Sequence, residues 1–174
     1  MSKGRTLAAD ETAAAAFIAF VGLRTIGGFF FFQYGLGYEP CPLCLDQRKA
    51  FYVCVPLAAL LVLGSGYGAS RKVLLLGFAA IVLAMLWNAG LSAYHAGIEW
   101  KFWPGPIDCS GPIRPLGTGS LLSRLQDGRL VRCDEAAWRF LGISLAGYDV
   151  IVSLVLAAVA AYGFRRTLAR PRES

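Results

Sequence analysis

The sequence predicts an all-α membrane protein, a four-transmembrane-helix bundle whose long outer loop carries short interfacial helices. Three observations predict it. The 174 residues are 56% hydrophobic and only 16% charged, too apolar for an ordinary soluble domain. Four apolar stretches are long enough to cross a bilayer, which needs roughly 20 residues. None of the four alternates polar and apolar residues as a membrane barrel strand does, so helices must satisfy the backbone in lipid.

The first span covers about 13–32, with Arg24 its only charge. Lys3 and Arg5 ahead of it resemble the basic start of a signal peptide. The apolar run that follows is about twice too long for one, so a retained helix is expected. The second span, about 50–69, is uncharged and contains Pro56, which a packed membrane helix tolerates. The third, about 73–97, is also uncharged and carries the only histidine, His95. The fourth, about 143–164, has Asp149 as its only charge. Residues 1–174 therefore read as a single membrane domain. The formal charge of +6 does not point to nucleic acid. The basic residues cluster at the chain ends and between apolar runs instead of forming a stripe.

An even number of spans puts both termini on one side. Each side carries eight Lys and Arg, but the terminal-side segments are about half as long as the opposite loops. The short basic tails place both termini inside. Two loops then lie outside, about 33–49 and about 98–142. Trp100, Phe102 and Trp103 suit the membrane–water boundary. Ser120 to Gln126 reads as a short helix with Leu121, Leu122 and Leu125 on one face. It either lies on the membrane surface or packs on its own loop.

Four of the five cysteines fall in the outside loops, and Cys54 lies in span two as a small apolar filler. An even set facing an oxidising compartment reads as two disulfides, with three possible connectivities. Cys41-Pro42-Leu43-Cys44 has the spacing of a redox-active dithiol. Cys44 falls near the first turn of span two, where unpaired N–H groups and the helix dipole favour a thiolate. Arg48, four residues on, adds positive charge on the same face. A thiolate is therefore expected at Cys44, at the membrane–water boundary. The C-x-x-C could instead be half of a zinc site, but the other two loop cysteines lie 24 residues apart with no His beside them, so no metal is expected. It could also be a structural disulfide. A heme attachment would need His where Leu45 stands. Cys109 and Cys133 enclose a Gly- and Pro-rich stretch that should be mobile. Such a disulfide either staples the loop or lets it reach a soluble partner and return.

The segment Pro40-Cys41-Pro42-Leu43-Cys44-Leu45-Asp46-Gln47-Arg48, with four spans and a second cysteine pair between spans three and four, resembles the DsbB family. That family is the quinone-linked oxidase of the disulfide-forming pathway. The stretch from Cys133 to Ser144, Tyr94-His95-Ala96-Gly97 and Trp103-Pro104-Gly105-Pro106 are similar to family segments as well. The resemblance implies that Cys109–Cys133 accepts electrons from a DsbA-like periplasmic thioredoxin-fold protein, with Cys109 forming the mixed disulfide. It implies exchange with Cys41–Cys44, which faces a bound ubiquinone or menaquinone. Arg48 would polarise the quinone and His95 would lie near it. It also implies a bacterial inner membrane location, with both termini cytoplasmic and the cysteine loops periplasmic. Without the resemblance, Arg48 reads as an interfacial anchor and His95 as an interfacial residue bonded to a loop carbonyl.

Two further expectations concern charges. Arg24 and Asp149 differ in depth by only about 5 Å, counting about 1.5 Å per helical residue, so a pair joining spans one and four is expected. Asp134 is expected to cap a short helix running to Leu141 and ended by Gly142. Two alternatives compete with the thiol oxidase. A vitamin K epoxide reductase-like enzyme is disfavoured, because that class commonly places its membrane C-x-x-C in the last helices. A non-catalytic scaffold stapled by disulfides would show no redox activity with quinone.

Overall fold

The computed structural model of the protein describes residues 2–106 and 132–170. Cys109 and the expected helix at 120–126 lie outside the described residues. Helix α1 (Ser2–Phe30) continues into a π-helical turn (Phe31–Gly35). Helices α2 (Pro42–Gly66) and α3 (Arg71–Glu99) follow. A hairpin of β1 (Arg139–Phe140) and β2 (Ile143–Ser144) leads into α4 (Leu145–Leu168). All four helices are long and apolar enough to cross a membrane, so the chain is a multi-pass membrane protein.

The helices overrun the spans that hydropathy predicts. The largest overrun at the outer end is in α2, which begins at Pro42 and not near residue 50. Asp46, Gln47, Arg48 and Lys49 are too polar to register in hydropathy, yet they form its opening turns. Pro42 at the first helical position and Cys41 at the N-cap set the start. In α4, Ser144 caps by accepting a hydrogen bond from the Gly147 N–H.

The helices pack in a ring: α1 lies against α2 and α4, and α3 lies against α2 and α4. Ile18, Phe51, Phe78, Ile81, Met85 and Leu156 fill the centre, and Cys54 packs among them. Ala14, Ala15, Ala58, Ala157 and Ala160 let the backbones approach closely, as association in an apolar solvent requires. Large apolar side chains such as Phe20, Leu83 and Trp87 point outward, which suits lipid and not water.

Polar contacts tie one end of the bundle together. Buried Glu11 accepts hydrogen bonds from Thr167 at 2.9 Å and Arg170 at 2.5 Å. Thr12 meets Ser65 at 2.7 Å, and Arg71 donates to the carbonyls of Thr167 and Leu168. The beginning of α1 and the end of α4 therefore share one end of the bundle. Cys41, Cys44, Cys133 and the hairpin lie at the other.

The structure overturns the expected Arg24–Asp149 pair. Arg24 is exposed on the outside of α1. Asp149 is buried between α3 and α4, where its Oδ2 accepts from Ser92 Oγ at 2.5 Å and Asn88 Nδ2 at 3.0 Å. Asn88 Nδ2 also reaches Ser153 Oγ at 3.0 Å. Depth along a helix can be counted from the chain, but depth does not say which way a side chain faces. Asn88→Leu removes a donor from this buried carboxyl. It is expected to destabilise the bundle by about 1–3 kcal/mol, read as a lower midpoint of detergent-induced unfolding.

The expected helix from Asp134 to Leu141 is also absent. Leu141 (φ +50°) and Gly142 (φ +80°) form the two-residue turn between β1 and β2, which pair Arg139 with Ser144 and Phe140 with Ile143. Two consecutive positive φ values define the tight turn favoured in hairpins, and Gly at the second position adopts it without strain. Asp134 instead accepts from Arg132 at 2.8 Å and Lys101 at 2.7 Å. Those two cations hold its carboxyl below the usual carboxylate range. The contact fastens the segment carrying Cys133 to the end of α3.

Candidate functional site

The start of α2 builds the site. As N-cap, Cys41 turns its sulfur toward the first N–H groups of the helix and accepts from the Cys44 N–H at 3.2 Å. The Cys44 sulfur lies 2.8 Å away, and His95 Nε2 approaches at 3.7 Å. The Cys44 thiol, with His95, holds the Cys41 thiol down at about 5, against the opposing effect of burial. From the sequence the thiolate is expected at Cys44, but Cys41 is the sulfur that takes the N-cap position and faces His95. Because the helix starts at Pro42, the capping position belongs to residue 41, and residue 44 is already inside the first turn.

His95 sits near the outer end of α3, only 2% exposed. Its Nδ1 lies 3.1 Å from Gln47 Nε2, and its Nε2 lies 3.8 Å from Glu99 Oε1. Sequence reasoning assigned no role to Gln47 or Glu99. Glu99 had a usable signal, since residues four apart share a helix face. Gln47 had none beyond its place beside Arg48.

Arg48 lies one turn deeper along α2 than Cys44. It donates to Gln33 Oε1 at 2.6 Å, and its guanidinium stands 5.3 Å from the centre of the Phe29 ring. The residue is 6% exposed, yet its Nε has no protein partner among the described residues. An unused donor on a buried cation is a ready contact for an acceptor ligand. A half-open cavity of about 70 Å³ adjoins it, walled by Phe29, Phe32, Cys41, Cys44, Arg48 and His95 among others. The apolar wall with a few convergent polar groups has the character of a small-molecule site.

Cys133 is fully buried and held in a disulfide. Its Sγ, Cys41 Sγ and a ring nitrogen of His95 all lie within 4.8 Å of one another. The fold thus brings together five of the six residues singled out in the sequence: Cys41, Cys44, Cys133, Arg48 and His95. The sixth, Cys109, is outside the described residues. The fold also supplies a histidine to the cysteines where the local sequence offered none.

His95→Ala is expected to move the Cys41 titration upward from about 5 toward its ordinary value of 9.0, followed by thiolate ultraviolet absorbance against pH. The sign follows from linkage. The folded value lies below the unfolded one, so the thiolate stabilises the reduced folded state fully above pH 9. That contribution is lost as pH falls through 5.

The profile of a family described as "Disulfide bond formation protein DsbB" matches residues 11–163. Disulfide bond formation protein B of Hahella chejuensis is 31% identical over 169 residues, covering 90% of this chain and 93% of the relative. The protein of the same name from Albidiferax ferrireducens is 35% identical over 144 residues, covering 77% and 78%. That from Xanthomonas axonopodis pv. citri is 31% identical over 159 residues, covering 86% and 87%. With a dithiol capping α2, a cation-lined apolar cavity beside it and a match along nearly the whole chain, this protein belongs to the DsbB family of membrane disulfide bond formation proteins.

Proposed function

We propose that the protein is an inner-membrane thiol:quinone oxidoreductase that reoxidises a DsbA-like periplasmic thioredoxin-fold protein and passes the electrons to ubiquinone or menaquinone. Its termini are cytoplasmic and its cysteine loops periplasmic. The observation that carries the proposal is the approach of the disulfide-bonded Cys133 to the Cys41-Pro42-Leu43-Cys44 dithiol, with the Cys133 and Cys41 sulfurs within 4.8 Å.

The thiol steps balance in atoms and electrons. A partner thiolate attacks Cys109 of the Cys109–Cys133 disulfide and releases the Cys133 thiolate. The second partner thiol then resolves the mixed disulfide and leaves Cys109 reduced. Cys133 attacks Cys41 of the Cys41–Cys44 disulfide, and Cys44 leaves as a thiolate beside Arg48. Attack by Cys109 on the resulting Cys41–Cys133 disulfide restores the outer pair and leaves Cys41 and Cys44 reduced. Two electrons have moved inward, and the partner has gained a disulfide. Stabilising the Cys41 thiolate favours the reduced pair, so the Cys41–Cys44 disulfide is a strong oxidant toward the outer pair. A bound quinone supplies the two-electron, two-proton sink. Arg48 would hold its ring oxygen, and Phe29 and Phe32 would keep water from its face.

The test uses the purified protein in detergent with a reduced thioredoxin-fold dithiol and a short-chain quinone. One quinone should be reduced per disulfide formed. Arg48→Leu should raise the quinone KM about tenfold, the worth of one charge-assisted hydrogen bond, while leaving the KM for the dithiol partner unchanged. A disulfide-stapled scaffold would leave the quinone absorbance unchanged, and that result would overturn the proposal.

A further inference from the structure

We propose that once the Cys133 disulfide is reduced, Cys41, Cys133 and His95 form a zinc(II) site that closes the exchange centre. The inference goes beyond the oxidase function and needs neither quinone nor partner protein. It also departs from the expectation of no metal, which rested on spacing along the chain.

The geometry supplies the ligands. Zinc takes Cys sulfur at about 2.3 Å and His nitrogen at about 2.0 Å, so tetrahedral ligand atoms sit about 3.5–3.8 Å apart. Cys41 Sγ and His95 Nε2 are 3.7 Å apart, and Cys133 Sγ lies within 4.8 Å of Cys41 Sγ and of a ring nitrogen of His95. All three residues are buried, which excludes competing water. Glu99 Oε1 stands 3.8 Å from His95 Nε2, and its Oε2 is buried without a partner among the described residues. Glu99 can therefore complete the fourth position. Gln47 beside Nδ1 fixes the ring. A half-turn of its amide presents an acceptor to Nδ1–H and leaves Nε2 free to ligate.

The site is gated by redox state. In this structure Cys133 is in a disulfide and cannot offer a thiolate. Reduction by a dithiol or a phosphine adds two electrons and two protons to that disulfide. Zinc then displaces the protons from whichever thiols still carry them. The metal ties Cys133 to Cys41 without the disulfide that exchange requires, so it holds the reduced protein in a closed state.

The experiment titrates zinc into the purified full chain in detergent, with and without phosphine reduction, and uses cobalt(II) as a spectroscopic probe. One zinc per chain is expected after reduction and none before it. The cobalt spectrum should carry the charge-transfer absorption of two thiolates. Cys133→Ser or His95→Ala should weaken zinc binding by more than the roughly 100-fold that loss of a supporting second-shell group costs. Cys44→Ser should leave the two-thiolate spectrum intact. Zinc bound equally to the oxidised chain, or binding lost with Cys44→Ser but kept with Cys133→Ser, would overturn the proposal and place the metal on the neighbouring dithiol. Alkylation of wild-type protein needs no variant. Zinc should slow labelling of Cys133 in the reduced chain, and unslowed labelling would also overturn the proposal. Failure of quinone reduction would leave every one of these results standing.

Discussion

Replacing Cys44 by Ser is expected to lower quinone turnover by about 10³-fold or more, the scale on which loss of a covalent nucleophile acts. The expectation follows from position. Cys41 and Cys44 both line the cavity, and Cys41 also faces Cys133 and His95. With serine at 44 the inner pair cannot close into a disulfide, so on the proposed path its two electrons cannot pass to the quinone. A second outcome accompanies the first. Cys133 and Cys41 remain within reach of each other, so a disulfide linking them should accumulate when the protein is oxidised. Proteolysis and mass spectrometry under non-reducing conditions would detect the cross-linked peptide. Retention of wild-type turnover in this variant would remove Cys44 from the electron path.

The largest expected effect on stability comes from Gly163 in α4. A Cβ there would lie 2.5, 2.7 and 3.0 Å from ring carbons of Phe78, and Phe78 is itself only 1% exposed in the core. Neither the ring nor the helix has room to yield. Gly163→Ala is expected to destabilise by about 1–3 kcal/mol through overpacking, and Gly163→Leu by more. The measurement is unfolding in mixed micelles of rising sodium dodecyl sulfate content. Gly90→Ala serves as the control, because a Cβ there meets nothing within 4 Å. Its effect should stay within about 0.5 kcal/mol, the range of an uncoupled surface change. Equal effects at 90 and 163 would mean that the Phe78 contact does not set the cost, since helix propensity by itself favours alanine over glycine.

Asp149 and Arg24 show where a linear reading reaches its limit. Each stands out in the sequence as an intramembrane charge that needs an explanation, and their depths are close. The fold gives Oδ2 of Asp149 donors from Asn88 and Ser92 on α3 and leaves Arg24 on the outer surface of α1. Asn88 and Ser92 are four apart on one face of α3, so that helix could have been seen to carry a polar stripe. Nothing in the sequence says which helix that stripe meets. The hairpin is a similar case. Asp134 and Gly142 carry capping signals, but Gly142 is the second residue of a strand-to-strand turn and not a helix stop. Short polar stretches support both readings, and contacts with the rest of the chain choose between them.

Hydropathy and spacing along the chain are enough to establish the membrane class and the four helices, and to single out the loop cysteines, Arg48 and His95 as candidates. Those properties depend on composition over long windows and on near neighbours, both of which survive without a fold. Packing decides that the Cys41 sulfur is the one brought to His95, that Gln47 and Glu99 flank His95, and that Cys133 comes close to Cys41. The reason is physical. Desolvation, hydrogen bonding and sulfur-to-sulfur reach act across a few ångströms of space, and residues 41, 95 and 133 come within that distance only when α2, α3 and the hairpin segment pack together.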